Sequence, residues 1–403
     1  MKERLQELES WGADVIFGRA KGFRASAMRL AMTLFAQLFR GLVQLRLWLY
    51  RSGWRQRHFL GTRVLSVGNI TVGGTGKTPV VELLARSLRD RGRRVAILSR
   101  GYKSRPLRMP QRWRDAAGRS IPGSRMPKVV SDGRSVLLDS RYAGDEPFML
   151  AKNLPGVSVV VDKDRVKGGR FAVEHLGADT LLLDDGMQYL DLAHAHDIVL
   201  VDAKAPFGTG SLLPRGTLRE PPCNLSRAAM VLLTKCDGGS NRELVEKIRR
   251  HNRTAEIVEC AHGPVHLEDL FTGETLPLEE LRGKWVGAIS AIAVPEAFEG
   301  ALRGLGARVE ITRRFADHYR FTRREVESFM QRCVERDMEM IVTTEKDAVR
   351  FPRPRSVDVR VCFLRIEVGI LSGQAAWEDL LQRVCRPAVA GDPVLRNRHA
   401  YGA

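Results

Sequence analysis

An α/β fold on a mostly parallel sheet is what this 403-residue sequence predicts, and three features predict it. Short apolar runs of strand length alternate with helical stretches from residue 63 to residue 233. A glycine-rich turn joins the first of these runs to a helix. A second, shorter set of alternating runs begins at residue 285, so a smaller α/β unit is expected after the first.

The chain opens differently. From Arg19 to Arg57 there are nine Lys or Arg residues and no Asp or Glu. Within this stretch Arg29, Thr33, Gln37, Arg40 and Gln44 form one helical stripe, and the rest of the surface is Leu, Phe, Val, Met and Trp. No small-residue cleavage site follows the apolar run, which argues against a signal peptide. Arg40 and Arg46 would sit at membrane depth in a spanning helix, which argues against that too. Residues 1–60 therefore read as a basic amphipathic helix lying in a membrane interface, with arginines on lipid phosphates and Trp48 and Tyr50 at headgroup level. The competing reading is a helix packed on the protein's own core. A formal net charge of +18 asks for an anionic partner: nucleic acid, an acidic membrane or a phosphorylated substrate.

The expected strands are 63–67, 94–99, 157–161, 180–183, 197–201 and 229–233, placing a first domain over 61–261. Residues 262–284 are polar and turn-rich and read as a connector. Strands near 285–290, 339–344 and 359–365 define a second domain over 285–385, followed by a tail at 386–403. Pro106 to Gly133 is rich in Arg, Pro and Gly and reads as a long mobile loop. The six cysteines are scattered, with no C-x-x-C pair, which predicts reduced thiols rather than a zinc site or disulfide framework.

The turn after the first strand reads GNITVGGTGKTP, residues 68–79. It departs from G-x-x-x-x-G-K-[ST] because Thr71 replaces the first glycine. The contacts survive that change. Gly73, Gly74 and Gly76 let backbone N–H groups curl round an anion at the positive end of the next helix. Lys77 reaches β- and γ-phosphates, the Thr78 hydroxyl can ligate Mg²⁺, and Pro79 suits the first helical turn. Thr71, Val72, Gly73, Gly74, Thr75, Gly76, Lys77 and Thr78 are thus the candidate nucleotide site, and the first domain reads as a P-loop NTPase-like α/β/α sandwich. A carboxylate at a strand end should hold the metal, and TLLLDD supplies Asp184 and Asp185; adjacent carboxylates there can also be turn formers or caps. Thr234-Lys235-Cys236-Asp237 matches the T-K-x-D guanine-reading pattern, which leaves a GTP-driven switch as an alternative. A nucleic-acid-dependent ATPase is the other alternative, although no recognition helix or basic stripe with interleaved aromatics stands out.

One ordered series of motifs carries a resemblance. SVGNITVGGTGKTP (66–79), LSRGYK (98–103), VSDG (130–133), GDEP (144–147), LLLDDGMQ (181–188), FGTGSLLPRGTLREP (207–221), DH (317–318) and TTEKDAV (343–349) together resemble the tetraacyldisaccharide 4'-kinases, the lipid A 4'-kinases of Gram-negative bacteria. The resemblance spans roughly residues 25 to 380. It implies two α/β/α domains with the site in the cleft between them. It also implies transfer of the ATP γ-phosphate, with Mg²⁺, to the 4'-hydroxyl of an anionic glycolipid, tetraacyldisaccharide 1-phosphate. The place implied is the cytoplasmic face of the inner membrane, with no nucleic acid and no obligate protein partner. Carried over from the family, Asp145 is the base and His318 its partner. Glu146 joins the metal set as a like-charged neighbour. Arg215 and Arg219 are candidates for a charge clamp on the transferring phosphate, and Tyr102 and Lys103 for the pocket lining. Met187 and Tyr189 stand where the family usually has Phe and His.

Overall fold

The computed structural model describes residues 11–102, 104–107, 111, 113 and 126–386. Lys103, most of the 104–129 stretch and the tail beyond 386 lie outside the described residues.

The described residues form thirteen strands of one sheet. In the first half these are β1 (Arg63–Asn69), β2 (Val95–Ser99), β3 (Lys128–Asp132), β4 (Ser158–Val161), β5 (Thr180–Asp184), β6 (His196–Asp202) and β7 (Met230–Thr234). There follow β8 (Glu256–Asp269), β9 (Thr275–Leu276), β10 (Trp285–Ser290), β11 (Arg308–Arg314), β12 (Met340–Thr344) and β13 (Arg360–Ser372). Their order is β11-β10-β12-β13-β8-β7-β6-β1-β5-β2-β4-β3, with β9 on β8. Most pairs are parallel, as the buried apolar runs require. The exceptions are β3 with β4, β9 with β8, and β13 with β8.

Four strands were not legible as such: β3, β8, β9 and β11. β3 lies inside the stretch read as a mobile loop, so that reading is corrected at Lys128–Asp132. Its Val129 and Val130 are fully buried against the neighbouring strand, and that burial offsets the turn-rich approach. β11 is an edge strand of alternating charge, RVEITRR, exposed at every second position, and such edges carry little apolar signal.

The long strands β8 and β13 tie the two halves together. The start of β8 pairs parallel with β7 and the rest pairs antiparallel with β13, while the start of β13 pairs with β12. Residues 262–269 are therefore strand, and the segment read as a connector begins inside β8. The last helix, Gln374–Cys385, returns to the first half. Its Trp377, Leu380, Leu381 and Val384 share a core with Val80, Leu84 and Leu88 of the helix Lys77–Asp90.

The N-terminal helix runs from Phe23 to Arg51. One face docks: Ala25, Ala36, Leu47 and Tyr50 are buried, the Tyr50 hydroxyl donates to Asp191, and Gln44 donates to Asn224 at 3.0 Å. The opposite face is bare, with Leu30, Leu34, Phe35, Leu38, Leu42, Leu45 and Trp48 all more than half exposed. No described helix is long and apolar enough to cross a membrane.

Candidate active site

β1 lies between β5 and β6, and Val67 pairs with Asp184. The glycine-rich turn after β1 and the carboxylates ending β5 are therefore brought side by side at the carboxyl edge of the sheet, where open α/β sheets bind ligands. The turn ends at Gly76, which caps the helix Lys77–Asp90 in the left-handed region at φ 81°. A Cβ there would lie 2.3 Å from Nε2 of His262 on β8, so glycine is required both by conformation and by space.

Side chains brace this loop from several sides. Asn69 donates to the hydroxyls of Thr71 (3.3 Å) and Thr75 (3.1 Å), and Lys77 donates to Asn69 Oδ1 at 3.4 Å. Val72 N–H donates to the Thr217 carbonyl at 2.7 Å, tying the loop to the 207–221 segment. The Thr234 hydroxyl donates to the Thr75 carbonyl at 2.9 Å, and Lys235 donates to the Gly74 carbonyl at 2.7 Å and to Asp202. The T-K-x-D match thus has a structural task here: its first two residues support the loop from the end of β7.

The two β5 carboxylates have opposite electrostatic settings. Burial, then Glu146 and Asp185, push the Asp184 carboxyl up to about 7, against Lys77 and the Ser99 hydroxyl, which donates at 3.1 Å. For Asp185 burial also acts upward, but Lys77 and Arg219 outweigh it and hold the carboxyl below its ordinary range. Lys77 lies 3.5 Å from Asp185, and Arg219 donates to both its oxygens at 2.9 and 2.8 Å. A buried carboxylate short of positive charge, beside Asp185, suits a hard divalent cation. The described residues hold no group of three or more His, Cys, Asp or Glu forming a metal cage. Mg²⁺ needs none, because it takes one or two carboxylates and completes its shell with phosphate and water.

A second cluster forms around Asp145, at the start of the helix Asp145–Asn153, next to the Glu146 that acts on Asp184. His318 Nδ1 lies 3.3 Å from Asp145 Oδ2, Arg320 donates to Oδ1 at 3.2 Å, and Arg350 Nε stands 3.6 Å from Oδ2. His318 has φ 64°, a strained backbone that a non-glycine residue keeps only where its surroundings enforce it. Arg350 is fully buried and pairs with the equally buried Asp347. The ring of Tyr102 meets that of His318 edge-on at 5.9 Å.

Asp145, His318, Lys77, Arg219, Asp184, Asp185 and Glu146 are thus gathered into adjoining clusters. Arg215 is not among them. It lines a separate cavity with Thr33, Gln37 and Arg40 of the N-terminal helix, and its guanidinium donates to the Ile16 carbonyl at 3.3 Å. Arg320, Arg350 and Lys346 were missed in the sequence. Arg320 is two residues beyond His318, and the other two follow in TTEKDAVRF, so the motifs marked the segments without marking these side chains.

A cavity of about 730 Å³ opens beside Asp185 and Arg219. One wall is Phe39, Leu42 and Leu47 of the N-terminal helix, and another is basic, with Arg46, Arg100, Lys163 and Arg165. Tyr189 shapes it: its hydroxyl accepts from Arg165 N–H at 3.0 Å and donates to Asp164, and the Arg165 guanidinium lies 4.8 Å over its ring. The tyrosine therefore braces the start of the helix Arg165–His175 rather than leaving a gap where the family usually has His.

Three comparisons converge on one family. The profile described as LpxK, tetraacyldisaccharide-1-P 4'-kinase, matches residues 28–386. A tetraacyldisaccharide 4'-kinase of Anaeromyxobacter sp. (strain Fw109-5) is 41% identical over 382 residues, covering 93% of this chain and 97% of the relative. One from Syntrophus aciditrophicus (strain SB) is 36% identical over 366 residues, covering 88% of this chain and 93% of the relative. The crystal structure of an "apo" form of LpxK from Aquifex aeolicus in complex with ATP is similar with a TM-score of 0.69 at 29% identity, over 89% of this chain and 100% of that one. The chain belongs to the tetraacyldisaccharide 4'-kinase family and is an ATP-dependent kinase of lipid A biosynthesis.

Proposed function

We propose that the γ-phosphate of ATP is passed to the glycolipid 4'-hydroxyl with a division of labour between the two clusters. Thr71–Thr78 cradles the nucleotide phosphates, with Lys77 and Arg219 neutralising the transferring group. Asp184, Asp185, Thr78 and Glu146 form the side of the site that faces Mg²⁺, which supplies charge neutralisation on the phosphates when bound. Asp145 accepts the proton of the attacking hydroxyl. Support for that role is its place beside Glu146, which acts on Asp184, and its anchoring by His318, Arg320 and Arg350.

The observation that carries the substrate assignment is the cavity beside Asp185, walled by apolar helix on one side and by Arg and Lys on the other. An acylated sugar phosphate needs both walls: chains on the apolar one, anionic phosphate on the basic one. The bare apolar face of the helix Phe23–Arg51 extends the same wall outward. That face, flanked by arginines, would lie in the cytoplasmic leaflet of the inner membrane as a peripheral anchor, so that the lipid enters the cavity sideways. Leu34→Ser with Leu38→Ser should then cut binding to anionic vesicles at least about tenfold, since each buried leucine contributes roughly 1.5–3 kcal/mol. Unchanged partition would remove the anchor.

The test of the chemistry is transfer from γ-labelled ATP to tetraacyldisaccharide 1-phosphate in mixed micelles with Mg²⁺, native chain against Asp145→Ala. Lipid product from the native chain and none from the variant, with ATP still bound, is the expected result. Equal product from both would overturn the assignment of the base.

A further inference from the structure

The TTEKDAV segment is a motif without a role in the account above. It forms the end of β12 and a four-residue helix, Glu345–Ala348. Three of its polar side chains, those of Thr344, Glu345 and Asp347, have fixed partners. Glu345 pairs with the buried Arg365, and the Thr344 hydroxyl accepts from Asp347 N–H at 3.2 Å. Asp347 accepts from Ala291 N–H at 2.9 Å and pairs with Arg350. Ala291 in turn accepts the His318 N–H at 3.1 Å, so the end of β10 holds both the motif and the histidine. Lys346 projects from this pinned turn. Its Nζ lies 3.2 Å from Nε2 of His318 and 3.5 Å from Asp317 Oδ1.

That contact decides where the imidazole proton sits. An ammonium group has only donors, so an attractive contact at 3.2 Å requires a lone pair on Nε2. A ring that accepts there is neutral with its proton on Nδ1, the nitrogen 3.3 Å from Asp145 Oδ2 and placed to donate to the carboxylate. With Nε2 already accepting and Nδ1 already protonated, the ring has no free lone pair for a further proton.

We propose that Lys346 is a positioning residue that locks His318 in the neutral Nδ1–H tautomer, so that His318 orients Asp145 without competing for its proton. The inference rests on the reading of Asp145 as the base. As the hydroxyl oxygen bonds to the γ-phosphorus and the bond to the β-phosphate oxygen breaks toward ADP, the hydroxyl proton passes to Asp145 and not onward to the imidazole.

The experiment is long-range ¹H–¹⁵N spectroscopy of ¹⁵N-histidine-labelled full-length protein in detergent micelles, with the His318 signals assigned from a His318→Gln sample. The native ring should show an unprotonated Nε2. Lys346→Met should let the Nε2–H tautomer appear and lower kcat about 10- to 100-fold, part of the roughly 10²–10⁴ that a well-placed proton acceptor contributes. The KM for ATP should stay within about twofold, and Lys346→Arg should restore the tautomer and most of the rate. A protonated Nε2 in the native protein overturns the proposal without recourse to any variant. So does a Lys346→Met protein whose tautomer is unchanged, or one that raises KM for ATP while keeping kcat, which would make Lys346 a nucleotide contact. Turnover surviving in Asp145→Ala would instead remove the base, and the tautomer would still be read independently.

Discussion

At the proposed phosphate end of the site, the consecutive residues Thr71 to Thr78 offer mainly backbone N–H groups, and one neighbouring strand end adds two carboxylates. At the proposed proton end, Asp145, His318, Arg320, Lys346 and Arg350 meet through side chains, and the central pair is separated by 173 positions in the chain. The first end is built from local geometry that any strand–turn–helix supplies. The second exists only because the ends of β10 and β12 bring a histidine and a charged turn against the helix that starts at Asp145. Backbone chemistry is therefore confined to a motif, while side-chain chemistry is spread over the fold.

If that contrast holds, damage at the two ends should separate in kinetics. The largest effect is expected for Gly76→Ala, where the left-handed backbone and the His262 ring both oppose a Cβ. Strain and overpacking together should weaken ATP binding by roughly 10³-fold, measured by calorimetry. ATP affinity within tenfold of native would show that the loop does not depend on its backbone.

Next comes Arg320→Ala at the proton end. Losing a charge-assisted hydrogen bond to Asp145 should lower kcat by roughly 10- to 100-fold with ATP affinity intact. A matching loss of ATP affinity would erase the distinction between the ends.

A smaller, graded effect should come from Asp184. Its carboxyl stands at about 7 in the metal-free protein, above the unfolded value near 4, so it binds its proton more tightly when folded. Its contribution to metal-free stability is thus fully present below pH about 4 and is lost as pH rises through about 7. Mg²⁺ requires the ionised form, so its affinity should improve up to about tenfold per pH unit until pH passes 7, then level off. The rise in Tm on adding Mg²⁺ should be greater at pH 8 than at pH 6, and Asp184→Asn should abolish that difference. A flat response in the native protein would show that no proton competes with the cation.

The smallest effect is expected for Thr234→Ala, which removes a fully buried hydroxyl from the Thr75 carbonyl. At about 1 kcal/mol, the Kd for ATP should rise severalfold with kcat unchanged. An altered kcat would mean that loop bracing extends to the proton end.

The same contrast governs what could be read in advance. Gly73, Gly74, Gly76, Lys77 and Thr78 were legible because the turn dictates its own sequence. Asp184 and Asp185 were legible because they end an apolar strand. His318 and Asp145 were reached only through the family's motifs, and nothing about Arg350 or Lys346 in isolation separates them from solvated charges. Arg215 shows the converse: it shares a motif with Arg219, yet the turn at Leu212–Arg215 carries it to another cavity beside the N-terminal helix.

By itself the amino-acid sequence determined the α/β class, the glycine-rich turn between β1 and its helix, the carboxylates that end β5 and the apolar, basic N-terminal helix. Those features arise from periodicity, backbone permissiveness and charge within short windows. Tertiary structure alone decided that β8 and β13 run on to join the halves in one sheet, that the helix Gln374–Cys385 returns to the first core, and that one face of the N-terminal helix docks while the other stays bare. It also decided which of many arginines and lysines surround Asp145. Burial and ion pairing are properties of groups distant in sequence, and an apolar stripe or a lone charge does not specify its partner until the chain has closed around it.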